Sequence, residues 1–409
     1  MNTYTSTHQD TASLLEEAQR SLLFTANRPD IVMERGEGMY LWDTEGKKYL
    51  DFIGGWAVTC LGHSPVVIRD ALFNQATTLV NASPSYYNKR QIEFASLLTR
   101  LSGYDRVYFA STGAEANEGA VKLARKFGAK HRQGAFEVIT TINGFHGRTL
   151  AMMAATGKKH WETLFAPKTP GFKHVPQNDI DALLAAIGPD TCAVMLELVQ
   201  GEGGVHAVET EYLKQVRKVC DEVGILLIFD EIQTGLGRTG KLFASEHYGV
   251  DADIMTLGKG IGGGFPLSAV LTREKLNLFE PGDQGGTYIG QPLGMAVGYA
   301  VVNEIVQHDL SGHAARMGQY LVERLHQMAD KYGLTRIRGK GLLLAFDLPG
   351  EQGAEVAAAC LAEGLLINSP NPRSIRLMPA LIVTEAEIDT MLETLESVLD
   401  RTEAPSEGR

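Results

Sequence analysis

Between Arg106 and Leu271 the apolar residues fall into two alternating patterns. One is the short, mostly apolar run: Val107–Ala110, Glu137–Ile142, Cys192–Val199, Ile225–Phe229, Ile254–Leu257 and Leu267–Leu271. Runs of this length, bounded by glycine and polar residues, predict buried strands. The other is helical spacing. Ala120, Leu123, Ala124 and Phe127 share one face of a helix opened by Ser111-Thr-Gly-Ala-Glu115, where Thr112 and Glu115 have the separation of a capping box. Tyr212, Leu213, Val216, Val219, Cys220 and Val223 mark a second helix, which Gly224 stops. Strands alternating with helices predict an α/β fold, with a mostly parallel sheet covered on both faces.

The pattern differs at both ends. Residues 1–10 are polar and read as loose, and Leu14, Leu15, Ala18 and Leu22 suggest a short amphipathic helix. Met39–Asp43 and Lys48–Phe52 flank Thr44-Glu-Gly-Lys47 as a hairpin. The following stretch, Gly54 to His63, either lines a site or is a plain connection. Beyond about residue 305, Met317, Leu321, Leu325 and Met328 lie on a long helix. Strands follow near Leu342–Asp347 and Ser374–Met378. A last helix is capped by Thr384 and Glu387, with Ile388, Met391, Leu392, Leu395 and Leu399 inward. This end predicts a smaller α+β unit, and the polar residues 401–409 a disordered tail.

Composition narrows the class. A chain of 409 residues carries a soft expectation of two to three domains. Its net charge of −11 argues against nucleic acid or an anionic membrane as partner. The four cysteines, Cys60, Cys192, Cys220 and Cys360, form no close pair, so buried reduced thiols are expected. No histidine spacing suggests a metal site. No signal peptide or membrane-length apolar run is visible, and a soluble cytoplasmic protein is expected.

Candidate chemistry clusters after two of the predicted strands. Lys259 follows Ile254–Leu257 and precedes four glycines in five positions. Glycines let the backbone turn tightly and approach a ligand. A desolvated lysine there has a lowered pKa, which an imine-forming amine requires. Asp230 ends Ile225–Phe229, at the strand end where open α/β sheets bind ligands. A buried carboxylate needs a cationic partner. A lysine Schiff base with an aspartate on a pyridinium nitrogen is the usual protein frame for pyridoxal phosphate. Ser111-Thr-Gly-Ala is either an ordinary capped helix start or a phosphate site. Gly258-Lys-Gly-Ile-Gly-Gly263 matches a dinucleotide pattern, but Pro266 and a further apolar run follow where that pattern needs a helix. Arg148 and Arg376 are each either a carboxylate anchor or a surface ion pair, with Glu202 a candidate partner for one.

These motifs, in this order, resemble those of class III pyridoxal-phosphate aminotransferases, acetylornithine aminotransferases in particular. The likeness runs from about residue 25 to about residue 395. Its most specific parts are Asp230-Glu-Ile-Gln-Thr-Gly-Leu-Gly-Arg-Thr-Gly240 and Thr256-Leu-Gly-Lys-Gly-Ile-Gly-Gly-Gly-Phe-Pro266. Ser111-Thr-Gly-Ala-Glu-Ala-Asn-Glu118, Gly144-Phe-His-Gly-Arg-Thr149 and Gln200-Gly-Glu-Gly-Gly204 match as well. The resemblance implies an aspartate-aminotransferase-type (fold type I) large domain over 56–305 and a smaller domain over 306–400. Residues 1–55 would pack with the small domain. It implies pyridoxal 5'-phosphate bonded to Lys259, with Asp230 on the ring nitrogen and Gln233 on the ring hydroxyl. Ile232 and Phe145 would cover opposite ring faces. Thr112, Gly113 and Ala114 would hold the phosphate, with Thr287 from the other subunit of a homodimer with shared sites. Arg148 would hold the donor carboxylate and Arg376 that of 2-oxoglutarate, Glu202 pairing with Arg376 in between. Gly55 would leave room for an acyl group where ornithine aminotransferases carry a tyrosine. The implied reaction moves the terminal amine of N2-acetylornithine to 2-oxoglutarate. The alternative donors are ornithine, succinylornithine, 4-aminobutyrate or a diamine. Departures at Gln284, Gly286, Gln291 and Gly62-His-Ser-Pro65 bear on the donor, not on the lysine.

Overall fold

The computed structural model describes residues 10–402. Residues 1–9 and 403–409 lie outside the described part, and with them most of the polar N-terminal stretch and of the expected C-terminal tail. A seven-stranded sheet forms the centre. Its spatial order is Arg106–Ala110, Ser268–Thr272, Ile254–Leu257, Leu226–Asp230, Thr191–Leu196, Glu137–Thr141, Phe172–Val175. Every residue of the four strands starting at Thr191, Leu226, Ile254 and Ser268 is buried. That explains why these segments read as largely apolar runs without a polar alternation: both faces are covered.

Six strands share one direction, and Ser268–Thr272 runs against both its neighbours. Only residues 258–267 separate it from Ile254–Leu257. A parallel return needs a crossover of a dozen or more residues, usually with a helix. The glycines and Pro266 instead fold the chain directly back. The helix Gly113–His131 starts with the reciprocal Thr112–Glu115 capping box, and Thr210–Val223 ends at Gly224 with φ 73°. Both follow the sequence signals.

The remaining strands form two further four-stranded sheets and a two-stranded one, Val199–Gln200 with His206–Ala207. Thr335–Lys340, Leu343–Asp347, Ser374–Leu377 and Asn368–Asn371 pair in that order, all antiparallel. The hairpin Tyr40–Asp43/Lys48–Asp51 gains Met33–Glu37 on one side. On the other, Leu365–Leu366 pairs parallel with Lys48–Asp51, tying the N-terminal hairpin to the C-terminal part of the chain. The last helix runs over Glu385–Thr402, past the boundary at 400 expected from the sequence, and buries Ile388, Met391, Leu392, Leu395 and Leu399. Helices Val66–Ala76, Lys89–Ser102 and Pro292–Gln307 have no counterpart in the sequence reading. All four cysteines are free and buried. Among the described residues no helix is long and apolar enough to cross a membrane.

Candidate active site

The carboxyl ends of the parallel strands meet the start of the helix Gly113–His131 around a cavity of about 250 Å³. Asp230, the last residue of its strand, lies on the floor and is buried. One carboxylate oxygen, Oδ2, accepts from Asn117 Nδ2 and from His146 Nδ1, each at 2.8 Å. The other, Oδ1, accepts from the Ile232 amide at 3.1 Å. Asn117 is itself fixed: its Oδ1 accepts from Thr256 Oγ1 at 2.8 Å, and its Nδ2 also donates to the His146 carbonyl at 2.8 Å. Burial works against a charged His146, but the hydrogen bond and charge of Asp230, with Glu197 nearby, outweigh it and raise its pKa. Beside them Glu197 accepts from the Phe145 amide at 2.7 Å. Burial, added to by the Asp230 charge, pushes its carboxyl up to about 7.

Lys259 follows the neighbouring strand in a left-handed conformation, φ 46°. Burial lowers its ammonium pKa against the pull of Glu202, Asp230 and Glu197. Ile232 packs so closely that a Cβ on Gly113 would stand 2.9 Å from its Cδ1, and one on Gly258 3.0 Å from its Cγ2. A side chain at either glycine would push against Ile232, which lies across both. The Gln233 amide is buried, and neither its Oε1 nor its Nε2 has a partner in the chain. A buried amide left so costs about 1–3 kcal/mol, which a ligand in the cavity would offset. At the helix start, the Ser111 and Thr112 amides donate to Glu115 at 2.8 Å. The Gly113 and Ala114 amides precede the first intrahelical bond, Ala116 to Thr112, and both residues line the cavity, so the positive end of the helix dipole stands at it for an anion. Thr112 caps the helix and does not line the cavity.

The rim brings in distant segments. Arg376 is fully buried and donates to Asn368 Oδ1 at 2.8 Å, and through Nη1 to the Gly201 carbonyl and Glu202 Oε1 at 2.7 Å. Its Nη2 is buried with no partner. Burial raises the Glu202 carboxyl, but the Arg376 charge and hydrogen bond win and hold it below the usual range. The Trp56 ring centroid lies 5.4 Å from the Arg376 guanidinium carbon. Trp56 belongs to a left-handed turn in which Gly54, Gly55, Trp56 and Ala57 have φ of 59°, 58°, 67° and 62°. Left-handed backbone costs a residue with a side chain about 1–2 kcal/mol. Gly55 sits in this turn and is not among the cavity-lining residues; a Cβ on it would meet nothing closer than Val58 Cβ at 3.7 Å. Arg148 lines the opposite rim and is exposed, as is Thr287, which does not line the cavity of its own chain.

Thus Lys259, Asp230, Ile232, Gln233, Phe145, Gly113, Ala114, Arg148 and Glu202 line one cavity. Arg376 joins through Glu202, while Thr112, Gly55 and Thr287 stand outside the lining. Asn117, His146 and Glu197 were given no role from the sequence. Two of them lie within motifs singled out there, but only the folded chain brings them to Asp230.

A family model described as "Aminotransferase class-III" matches residues 24–399. The chain is 46% identical over 383 residues to an acetylornithine aminotransferase of Caldanaerobacter subterraneus subsp. tengcongensis, covering 93% of this chain and 98% of that protein. It is 50% identical over 382 residues to acetylornithine aminotransferase 2 of Bordetella bronchiseptica, covering 93% and 96%. An ornithine aminotransferase structure from Toxoplasma gondii, described with partial occupancy of PLP at its active site, superposes with a TM-score of 0.91. The two are 31% identical, and the match covers 96% of this chain and 95% of that one.

Proposed function

The chain belongs to the class III aminotransferases, and on that premise we propose that it moves the terminal amine of N2-acetylornithine to 2-oxoglutarate. The products are N-acetylglutamate 5-semialdehyde and glutamate, a step of arginine biosynthesis. The cofactor is pyridoxal 5'-phosphate, and the cavity fits it on four counts. Gln233 has an unpartnered buried amide for the ring hydroxyl. Gly113 and Ala114 have free amides for the phosphate. Ile232 and Phe145 line the cavity to cover the ring faces. Asp230 offers an oxygen that accepts only from the Ile232 amide to a ring N–H. When bound, the cofactor's ring supplies an electron sink for the carbon bearing the amine.

The chain's own residues do the rest. Lys259 would hold the cofactor's carbonyl end until the donor amine takes its place, and its freed amine would then take a proton from one carbon and return it to another. Its lowered pKa keeps neutral amine available for this. Asp230 is the counter-charge that keeps the ring nitrogen protonated; Asn117 and His146 fix it in place. Arg148 holds the donor's α-carboxylate. Arg376 holds a carboxylate of 2-oxoglutarate, and Glu202 covers that arginine while the donor is bound. The unpartnered Arg376 Nη2 supports an anion there. Thr287 would complete the phosphate site of a second copy, in a cytoplasmic homodimer with shared sites.

The observation that carries most of this is the single cavity lined by Lys259, Asp230, Gln233 and Glu202. The test is a panel of amino donors with 2-oxoglutarate, read as glutamate formed. N2-acetylornithine should be the best donor. Turnover of ornithine, succinylornithine, 4-aminobutyrate or a diamine in its place would keep the transaminase and overturn the donor.

A further inference from the structure

Two cations, not one, lie against the aromatic pair Phe145 and Trp161: Arg148 lines the candidate site with Phe145, whereas Lys158 lines, with Trp161, another cavity of about 700 Å³. Phe145 and Trp161 pack edge to face with centroids 5.8 Å apart. The Arg148 guanidinium carbon lies 5.9 Å from the Phe145 centroid and 5.2 Å from that of Trp161. The Lys158 ammonium lies 5.3 Å and 5.6 Å from the same two rings. Lys158 is half-buried, and its carbonyl accepts from the Trp161 amide at 2.9 Å, yet its ammonium makes no ion pair or hydrogen bond among the described residues. Burial lowers its ammonium pKa, and the charges of Glu202 and Glu197 pull the other way.

Lys158 is also fixed in place by its backbone. The neighbouring Gly157 accepts from the Asn143 amide at 2.9 Å and forms a β-bridge with Ile142, beyond the end of the strand Glu137–Thr141. A Cβ on Gly157 would stand 2.3 Å from the Thr141 carbonyl oxygen. So the chain is pressed against the sheet just before Lys158. A half-buried ammonium held there without a carboxylate is a cost that a bound anion would remove.

We propose that Lys158 is a specificity-determining residue of the amino-donor site, where its ammonium and the Arg148 guanidinium share the donor's α-carboxylate. This rests on the proposed donor being an N-acylated diamino acid. Both cations lie against the same two rings, close enough for the Arg148 charge to act on Lys158, and a carboxylate has two oxygens to divide between them. Selection then favours donors with a carboxylate over amines without one. The terminal amine, which reacts at Lys259, is untouched by the contact.

The experiment uses holoenzyme of the parent, Lys158→Met and Lys158→Arg, with cofactor loading checked by absorbance. Two donors are compared: N2-acetylornithine, and N-acetylputrescine, which has the same amine and acyl group but no carboxylate. Lys158→Met should lower kcat/KM for acetylornithine roughly ten- to a hundredfold, the size of a lost charged hydrogen bond. The loss should appear in KM, and acetylputrescine should be unaffected. Lys158→Arg should recover most of it. N2-acetylnorvaline, which has the carboxylate but no amine to react, should bind more weakly to Lys158→Met by a similar factor in calorimetry. Equal losses for both donors, or for neither, would overturn the assignment. If the parent does not use acetylornithine, the function proposed above fails by itself. Lys158 is then judged on acetylnorvaline alone, and equal affinity in parent and variant sinks it.

Discussion

Asp230 and Arg148 bound the same cavity, but only one of them is held. Asp230 is 4% exposed and accepts from Asn117, His146 and the Ile232 amide. Arg148 is exposed, its side chain makes no hydrogen bond or ion pair among the described residues, and its guanidinium lies near the Phe145 and Trp161 rings. The contrast extends to their surroundings. On the floor, strand ends and a helix start deliver each group from the most buried part of the sheet. At the rim, groups arrive from a left-handed turn, a glycine-rich segment and the C-terminal sheet. A floor of this kind suits one unchanging ligand, because preorganised partners need no rearrangement when it binds. A rim that must admit two different substrates in turn needs groups that can exchange partners, and the Arg376–Glu202 pair at 2.7 Å would be such a group under the proposed function.

If that division is right, damage should be largest on the floor. Lys259→Ala should abolish covalent retention of the cofactor. It should also lower turnover by at least about 10²–10⁴-fold, the usual contribution of a positioned proton-transfer group. Borohydride reduction followed by mass measurement would find the cofactor still bonded to the variant if another amine had the role. Asp230→Asn comes next. It removes a counter-charge whose loss typically costs about 3–5 kcal/mol in a broken buried pair. It also leaves the buried His146 without its carboxylate. Weaker cofactor binding and at least a tenfold slower donor half-reaction, about 1.4 kcal/mol, are expected. A smaller change would mean that Asp230 does not face the ring nitrogen.

Rim variants should separate the two half-reactions. Arg376→Ala should slow the half-reaction with 2-oxoglutarate by roughly tenfold or more, for a lost charged hydrogen bond. The donor half-reaction and cofactor loading should change less. Single-turnover traces with each substrate measure the difference, and equal slowing of both would make Arg376 a structural part of the floor.

The same contrast decides what the sequence could disclose. The floor comes from short motifs at strand ends, so Lys259, Asp230 and the capped start at Thr112 were visible as local patterns, and Gln233 came through the family resemblance. The hairpin, the strand–helix alternation and the stop at Gly224 were legible for the same reason. The reversed strand Ser268–Thr272 was located, but its direction depends on the length of the connection before it. The helix Pro292–Gln307 was missed because it is apolar nearly all round, so no polar face marks the period. Gly298 allows that fit: a Cβ there would stand 2.5 Å from both Leu267 Cδ2 and Phe94 Cε1. Arg376 is 174 residues from Glu202, and no local pattern joins them. Lys158 carries no motif at all.

Gly55 gives the smallest and most discriminating test of the rim. Its φ of 58° matches that of its neighbours Gly54, Trp56 and Ala57, so a substitution meets backbone strain whatever the pocket holds. Gly55→Ala measures that strain alone, because its Cβ would have only ordinary contacts, the nearest being Val58 Cβ at 3.7 Å. It should lower stability by about 1–2 kcal/mol and leave kcat/KM for acetylornithine nearly unchanged. Gly54→Ala is the control: its Cβ would stand 2.8 Å from the Met378 carbonyl oxygen, and the turn must shift. Gly55→Tyr adds bulk to the same strain. If the acyl group of the donor lies beside the turn, overfilling costs about 1–3 kcal/mol, and kcat/KM for acetylornithine falls roughly five- to a hundredfold. The value for ornithine should fall less. The deciding quantity is the ratio of the two donors in Gly55→Ala and Gly55→Tyr, with melting temperatures measured on both. A ratio that is the same in both variants would leave Gly55 as a residue chosen for its backbone. The acyl group would then have to be read elsewhere on the rim, with Trp56 over Arg376 the next position to vary.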